Sequence, residues 1–192
     1  SRLVGDSAMS CAFMSYLGPF NKEFREKLLI EYFEADLKNK KVPVTKNLNV
    51  IKMLATDGEI GEWNIQGLPT DDLSTQNGIL TLRAARWPLM IDPQGQGRSW
   101  IINRETPNGL KVVSFADKMF RFNLEDALTF GKPLLIENIE EDVDPLMDPI
   151  LEKAIVKQGK GWKIALADKE LDYTETFKLF MTSRLPNPHY TP

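Results

Sequence analysis

The second half of the chain alternates short apolar runs with helix-like segments, and this alternation restricts the fold more than any other feature of the sequence. The apolar runs lie at 87–91 (WPLMI), 111–115 (KVVSF), 133–139 (PLLIENI) and 177–183 (FKLFMTS). Between them, 97–105 and 122–130 space their apolar residues as a helix does. Continuous apolar strands separated by helices are typical of a parallel sheet. We therefore predict an α/β fold, a parallel sheet flanked by helices.

An antiparallel hairpin is predicted between the last two of these strands. Residues 162–166 alternate apolar and polar side chains, and 171–173 do the same after a short break. Such alternation on either side of a turn is typical of two paired strands. The preceding segment, 145–155 (PLMDPILEKAI), is predicted to be a helix interrupted by proline. The α/β core should therefore carry an inserted β-hairpin.

The first 70 residues have a different pattern, which predicts an N-terminal helical arm. Residues 8–16 predict a short buried helix, and Gly18-Pro19 ends it. Residues 20–41 place apolar side chains at three-to-four spacing with charged residues between them, which predicts a helix packed on a neighbouring surface. Candidate interface residues are Phe24, Tyr32, Phe33 and Trp63, although the pattern favours an ordinary core position for each.

Residues 42–70 are rich in glycine and proline around one apolar stretch, 50–54, and predict an irregular connector with a helical turn or two. Asp71 and Asp72 then favour the start of a helix that ends near Arg86, because acidic groups complement the positive end of the helix dipole. We place the domain boundary here: residues 1–70 form the arm and linker, and residues 71–192 form the α/β domain.

Composition excludes several classes of function. Cys11 is the only cysteine and His189 the only histidine, so a disulfide framework and a Cys/His metal cluster lack the residues they need. We expect no metal site. The formal net charge of -3 provides no field for binding nucleic acid, and no apolar run is long enough for a membrane span. We therefore expect no nucleic acid and no membrane among the partners.

The turn after 87–91 resembles a degenerate phosphate-binding loop. Ligands of parallel α/β sheets sit at the carboxyl ends of strands, where this turn, 92–99 (DPQGQGRS), lies. Against the pattern G-x-x-x-x-G-K-[ST], Gly97 and Ser99 match, while Asp92 replaces the first glycine and Arg98 replaces the lysine. Asp92 brings a carboxylate to a site built for anions, and the arginine fork is no simple substitute for lysine. The loop by itself favours a helix-start turn that never meets phosphate, while weak phosphate binding through Gly95, Gly97 and Ser99 stays open.

The strand at 133–139 should end in the acidic residues of a hydrolytic site. A nucleotide-hydrolysing site of this type ends the strand with Asp-Glu, in which the aspartate supports Mg²⁺ and the glutamate activates water. Here Glu137 and Asn138 occupy those positions. Asparagine cannot accept a proton, and loss of a general base typically costs about 10²- to 10⁴-fold in rate. Glu140 and Glu141 lie too far along the chain to replace it, so we predict no hydrolysis.

The strand at 177–183 provides a third position, at which a polar residue would orient water near the last phosphate. Both Thr182 and Arg184 are candidates for it. For Arg184, the position favours an ordinary solvated side chain at a strand end.

Six stretches of the sequence together resemble the dynein heavy chain family. They are SYLGPFNKEFR, GEWNIQGLPTDDLSTQNGILTLRAARWPL, IDPQGQGRSWI, GKPLLIENI with DVDPLMDPILEK, GWKIALADKELDY and FKLFMTSRLPNPHYTP. They cover nearly the whole chain, and their order and spacing are similar to those of the fifth AAA+ module of the motor ring. The variants GQGRSWI and TSRLPNPHYTP resemble axonemal rather than cytoplasmic heavy chains.

The resemblance implies the large α/β subdomain of an AAA+ module, with the small helical subdomain expected after the end of this chain. The parent would be an ATP-driven, minus-end-directed microtubule motor of a cilium or flagellum, located in the axoneme. ATP and Mg²⁺ would bind at other modules, with no cofactor in this one. Implied partners are neighbouring AAA+ modules of the same chain and, through the parent, the microtubule and dynein intermediate and light chains.

Two functions follow from the resemblance and the altered residues together. The first is a structural module that transmits force around the ring and does not hydrolyse nucleotide. The alternative is a regulatory module that binds ATP or ADP without turnover.

Overall fold

The computed structural model describes residues 1–186. Residues 187–192, which end the stretch FKLFMTSRLPNPHYTP and include His189, lie outside the described residues. The chain divides into two compact units, 1–85 and 86–192. The predicted boundary after residue 70 falls before a helix that the structure assigns to the first unit.

The first unit is entirely helical in its regular structure. Its helices are α1 (Leu3–Tyr16), α2 (Lys22–Lys27), a π-helix (Leu28–Glu34), α3 (Ala35–Asn39), α4 (Val50–Leu54), α5 (Asp57–Ile65) and α6 (Asp72–Arg83). The π-helix continues directly from α2 and leads into α3, so the predicted long helix is present but contains a wider segment. π-helices are rare, and they are frequent at functional sites.

The connector between α3 and α6 is more ordered than the sequence predicts. We expected one short helical stretch, and the structure has two helices, α4 and α5. Thr56 and Glu59 form a capping box at the start of α5, in which each side chain accepts a hydrogen bond from the backbone of the other residue. This cap stabilises a helix that contains Gly58 and Gly61, although glycine disfavours helix interiors.

Arg25 lies in the interior of the first unit, at 3% exposure, although the sequence places it on the charged face of its helix. Its guanidinium donates hydrogen bonds to the backbone oxygens of Leu17 and Gly18 and to the side-chain oxygens of Gln76 and Asn77. Burial lowers the pKa of Arg25. The side chain thereby joins the end of α1 to α6.

The loop after α3 is fastened to α1. A Cβ atom at Gly5 would lie 2.2 Å from the carbonyl oxygen of Pro43, so only glycine allows this approach. One residue further along α1, the Asp6 carboxylate accepts hydrogen bonds from the backbone N–H and the hydroxyl of Thr45, at 2.7 and 2.8 Å. Both contacts bring residues far apart in sequence together.

The four candidate interface residues have different environments. Phe24 and Tyr32 are exposed, at 41% and 56%, and Phe33 is half-buried. Trp63, at 3% exposure, is a core residue, which agrees with the core interpretation and removes it from the candidate interface. A Cβ atom at Gly78 of α6 would lie 3.3 Å from the Trp63 ring, which is a tight contact.

Over residues 86–186, the second unit contains seven strands and three α-helices. These are β1 (Leu89–Ile91), α7 (Gln96–Glu105), β2 (Lys111–Val113), α8 (Phe120–Phe130), β3 (Pro133–Ile136), α9 (Asp148–Leu151), β4 (Ile155–Gln158), β5 (Gly161–Leu166), β6 (Lys169–Tyr173) and β7 (Lys178–Ser183). Short 3₁₀ turns precede β2 and α9. The predicted alternation of strands and helices is confirmed.

Four strands form a parallel sheet in the order β1-β7-β3-β2. Ile91 is in register with Ser183, and Ile136 is in register with Met181. All pairings in this sheet are parallel, as predicted. The carboxyl ends of β1, β7 and β3 therefore lie side by side.

The inserted antiparallel element has three strands instead of the predicted two. β5 and β6 form the predicted hairpin, and β4 pairs with the other side of β5. The sequence predicts helix through residue 155, but α9 ends at Leu151. Lys153 then adopts a positive φ of 52°, which turns the chain so that Ile155 begins β4.

The sheet buries side chains on both faces. On one face, residues of β3 and β7 pack in a common core with α8 and β5; this core includes Leu134, Ile136, Leu179, Met181, Leu124, Leu128, Ile164 and Leu166. The intervening residues Leu135 and Phe180 are also buried, as are Trp100 and Ile101 of α7, which contacts β7. The helices thus flank the sheet. Among residues 1–186, no helix is long and apolar enough to cross a membrane.

Candidate functional site

Three predicted parts of the site meet at the carboxyl edge of the parallel sheet. They are the loop after β1, the end of β3 and the end of β7. The Asp92 backbone N–H donates to the Ser183 carbonyl at 2.8 Å, which extends the pairing of β1 with β7. The Ile139 N–H donates to the Thr182 carbonyl at 2.9 Å, which ties the end of β3 to β7. These backbone bonds fix the residues at the sheet edge.

The loop between β1 and α7 contains a tight turn that ends at Gly95. The Gly95 N–H donates to the Asp92 carbonyl at 3.1 Å, and Gly95 adopts a left-handed φ of 75°. Glycine adopts this conformation without the steric cost that a side chain brings. α7 begins at the next residue, and the Ser99 N–H donates to the Gly95 carbonyl at 3.0 Å.

Gly97 lies where the loop passes closest to β1. A Cβ atom there would lie 3.2 Å from the sulfur of Met90, which is tighter than most such contacts. Met90 is in register with Thr182 of β7. The second glycine of the pattern therefore has a structural reason, the close approach of α7 to the sheet.

Asp92 directs its carboxylate to the start of α7. Oδ2 accepts a hydrogen bond from the backbone N–H of Arg98 at 2.8 Å. The first N–H groups of a helix have no partner within the helix, and they favour an anion at this end. The side chain that replaces the first glycine of the pattern therefore caps the helix.

The Arg98 side chain turns to the neighbouring strand. Its Nε donates to Oε2 of Glu137, which follows β3, and the two side chains are 34% and 22% exposed. In the phosphate-loop pattern, this position carries the cation for the outer phosphates, and the Glu137 position carries the acid that supports Mg²⁺. Here the two groups bind each other.

The remaining predicted residues differ in exposure and in backbone conformation. Ser99 is exposed. Asn138 is exposed and adopts a left-handed φ of 57°. Thr182 is buried at 4%, and Arg184 is exposed beyond the end of β7. Because Thr182 pairs in register beside the loop, it is the better placed of the two candidates for the third position.

Ser183 was missed by the sequence reasoning. It is fully buried, its carbonyl accepts the Asp92 N–H, and its hydroxyl oxygen accepts the Leu185 N–H at 3.2 Å. The sequence signal for Ser183 is its position as the polar last residue of an apolar strand. Serine at this position orders the turn that leaves the sheet.

A pocket of about 350 Å³ lies away from the loop. Its lining residues are Leu89, Ile139, Glu141, Asp142, Val143, Leu151 and Met181. Leu89 and Met181 belong to the core with α8 and β5, and no residue of the loop lines the pocket. Glu141, considered as a replacement base, lies at this pocket.

The charged groups at the sheet edge are already engaged within the protein. A carboxylate already occupies the start of α7, and the arginine that would meet the outer phosphates is bonded to the acid that would support the metal ion. In residues 1–186, no three His, Cys, Asp or Glu side chains are grouped so that they could hold a metal ion.

Comparison with known proteins identifies the family. Residues 61–192 match the ATP-binding dynein motor region. The flagellar outer-arm dynein gamma chain of Chlamydomonas reinhardtii is 62% identical over 191 residues, which are 100% of this chain and 4% of that protein. The axonemal dynein heavy chains 8 and 5 of Mus musculus are 53% and 50% identical, again over 100% of this chain and 4% of each relative.

This chain thus spans about 4% of the length of these relatives. All three are flagellar or axonemal dynein heavy chains, which confirms the predicted resemblance and the predicted axonemal localisation. The matched region includes the whole parallel sheet and the loop at its carboxyl edge, with Asp92, Arg98 and Glu137. The chain belongs to the ATP-binding dynein motor region family.

Proposed function

We propose that this chain is a structural, force-transmitting AAA+ module of an axonemal dynein heavy chain and that its own site does not hydrolyse nucleotide. The observation that carries the proposal is the pairing of Arg98 with Glu137, beside the Asp92 carboxylate at the start of α7. The cation and the acid that would meet a magnesium nucleotide are engaged with each other. Asn138, at the position of the general base, cannot accept a proton.

We assign the module to the fifth position of the motor ring. The six stretches that resemble this module support the assignment, as does the replacement of residues in the phosphate-binding loop. The parent protein would be an ATP-driven, minus-end-directed microtubule motor of a cilium or flagellum. Its microtubule contacts and its intermediate and light chains would be reached through other parts of that protein.

Neighbouring AAA+ modules of the same chain are the proposed direct partners. Force transmission between rigid bodies needs interfaces and stable cores, and it needs no chemistry within the module. Exposed aromatic side chains on the first unit are suited to such an interface. Phe20 and Phe24 form an edge-to-face pair with ring centres 4.9 Å apart, and both are partly exposed, as is Tyr32.

The alternative is a regulatory module that binds ATP or ADP without turnover. The observation that favours it is the preserved backbone of the loop, with Gly95 in its left-handed conformation and Gly97 close to β1. Ser99 is exposed at the first turn of α7, where a hydroxyl could meet a ligand. This function requires Asp92 and Arg98 to leave their present partners.

Substitution in the full-length heavy chain tests the proposal. Asn138→Gly suits the left-handed backbone and removes the side chain, and Ser99→Ala removes the hydroxyl. If the site is not catalytic, both variants keep the microtubule-stimulated ATPase and the gliding velocity of the wild type. A loss of about tenfold or more, the scale expected for a catalytic group, contradicts the proposal. Photoaffinity labelling of the loop 92–99 by an azido-ATP would support the regulatory alternative.

A further inference from the structure

We infer that Asp92 is a built-in substitute for a bound phosphate, which holds α7 in its place on the sheet when no nucleotide is present. This inference rests on the proposed function, because it explains how a module without nucleotide keeps the shape of its loop. It adds a role for a particular residue, and that role can be tested separately.

The loop after β1 leads directly into the start of a helix, where backbone N–H groups lack partners within the helix. The turn from Asp92 to Gly95 is closed by a backbone hydrogen bond, and α7 follows it directly over ten residues. Such a loop exposes N–H groups to the space enclosed by the turn, where a phosphate normally accepts them. A loop of this form with nothing in it would leave these donors without acceptors.

The Asp92 carboxylate provides the acceptor. Oδ2 lies 2.8 Å from the Arg98 nitrogen in the first turn of α7, and it would lie 3.5 Å from a Cβ atom at Gly97. The carboxylate therefore sits over the start of the helix. Its backbone is held by the hydrogen bond to Ser183, so the sheet itself positions the negative charge.

The charges around the loop also disfavour a second anion. Arg98 is the cation of the loop sequence 92–99, and it is bonded to Glu137. Asp92 and Glu137 thus contribute two carboxylates against one guanidinium. A phosphate entering this space would meet an excess of negative charge and an arginine that already has a partner.

The consequence is a helix whose position does not depend on nucleotide. Trp100 and Ile101 of α7 are buried, at 1% and 0% exposure, so the helix is also fixed by its apolar face. With its first turn capped from β1, α7 is bound to the sheet at both its polar end and its apolar face. The module can then transmit force in one constant shape.

Hydrogen exchange of α7 in the full-length heavy chain tests this inference, with inorganic phosphate as the probe. In the wild type, the first-turn amides should exchange at the same rate with and without millimolar phosphate. Asp92→Ala should raise their exchange about five- to tenfold, the effect of losing a helix cap. Phosphate should then restore part of the protection in Asp92→Ala.

Two further variants keep the test decisive. Asp92→Asn retains an oxygen acceptor without the charge and should show intermediate exchange. Asp92→Gly combined with Arg98→Lys restores the phosphate-loop pattern at all four positions, and its α7 should gain protection from phosphate most strongly. Asp117→Ala is the matched control, because it removes a carboxylate that accepts the Ser114 N–H at 2.6 Å, outside the loop. It should leave α7 unchanged.

The inference is overturned if Asp92→Ala leaves α7 exchange at the wild-type rate. It is also overturned if phosphate fails to restore protection in that variant, because Asp92 would then be an ordinary cap. Unchanged exchange in β3 and β7 shows that a variant is folded. A separate outcome bears on the proposed function: protection of wild-type α7 by Mg-ADP would show nucleotide binding and favour the regulatory alternative.

Discussion

Arg98, in the first turn of α7, donates a hydrogen bond from its side chain to the carboxylate of Glu137, the residue that follows β3. The two residues are 39 positions apart in the sequence. In the strand order β1-β7-β3, β7 lies between β1, which precedes the loop, and β3, which precedes Glu137. The ion pair links the loop to the strand end that would complete a hydrolytic site.

The coupling between Arg98 and Glu137 should be small but measurable. Both side chains are partly exposed, so water screens their attraction, and we expect a coupling free energy of about 0.5 to 1 kcal/mol. Urea unfolding of the wild type, Arg98→Ala, Glu137→Ala and the double variant gives this value as a double-mutant cycle. Additive effects of the two substitutions would show that the pair does not stabilise the fold.

Arg25→Met should destabilise the first unit strongly. The substitution keeps most of the side-chain volume, but it leaves four buried or part-buried oxygen acceptors without their donor, at a cost of about 3 kcal/mol. Arg25→Lys should recover only part of this, since an ammonium cannot reproduce the fork. Arg86→Met, at an exposed position, is the control and should change the free energy of unfolding by less than about 0.5 kcal/mol.

Two glycine substitutions should have opposite effects. Gly5→Ala places a Cβ atom 2.2 Å from the Pro43 carbonyl oxygen, and displacing the backbone should cost about 2 kcal/mol or more. Gly58→Ala lies in α5 with open space around it, and it should stabilise by about 0.5 to 1 kcal/mol because alanine favours helix. Thermal unfolding of both variants measures the difference; a stable Gly5→Ala protein would contradict the close contact.

Glu34 should make stability depend on pH in the acidic range. Its carboxylate is buried and accepts hydrogen bonds from the Lys38 ammonium and from the Asn47 backbone, and these bonds, chiefly that of Lys38, lower the pKa of Glu34 below its usual value of 4.5. A lowered folded-state pKa means that this stabilisation is complete above the unfolded-state pKa. It is lost as the pH falls through the folded-state pKa.

Comparison with Glu34→Gln isolates this contribution. The difference in the free energy of unfolding between the wild type and the variant should be largest near about pH 7 and should shrink toward about pH 3. Urea unfolding at several pH values measures it. Other carboxylates with lowered pKa values, such as Glu125 and Asp71, remain in both proteins and therefore cancel. A difference that does not vary with pH would refute the assignment.

Phe24 and Tyr32 should matter for motility more than for stability. Both are exposed, so replacing them together by serine should change the free energy of unfolding by less than about 1 kcal/mol. In the full-length heavy chain, the same double substitution should slow microtubule gliding if this face contacts a neighbouring module. Ile65→Ser, at 89% exposure, is the control and should glide normally. Unchanged gliding of the double variant would exclude the proposed interface.

Local patterns predicted most of the secondary structure, and the errors have physical causes. α6 begins where Asp71 supplies the predicted cap, and α8 ends at Gly131 as expected. α5 was missed because two glycines concealed a helix that its capping box stabilises. β4 was missed because its few residues follow a helix directly, and its structure depends on pairing with β5.

The candidate site, like the secondary structure, was predicted only in part from the sequence. The replacements at 92, 98 and 138 are visible in the sequence, because they depart from a known pattern of residue types. The sequence does not show which groups the side chains at these positions contact. The Asp92 carboxylate meets Arg98 N–H because of the local turn, whereas the Arg98 guanidinium meets Glu137 because β1, β7 and β3 lie side by side.

The sequence by itself determined the α/β class and the absence of a general base at position 138, since both depend on residue type and local periodicity. The tertiary structure decided that Arg25 is buried, that Trp63 belongs to the core, and that the charges of the loop satisfy one another. These facts depend on contacts between segments that are distant in the sequence, and local hydrophobic periodicity does not predict such contacts. Long-range packing therefore places the Arg98 guanidinium against the Glu137 carboxylate, whereas the local turn places the Asp92 carboxylate at the Arg98 N–H.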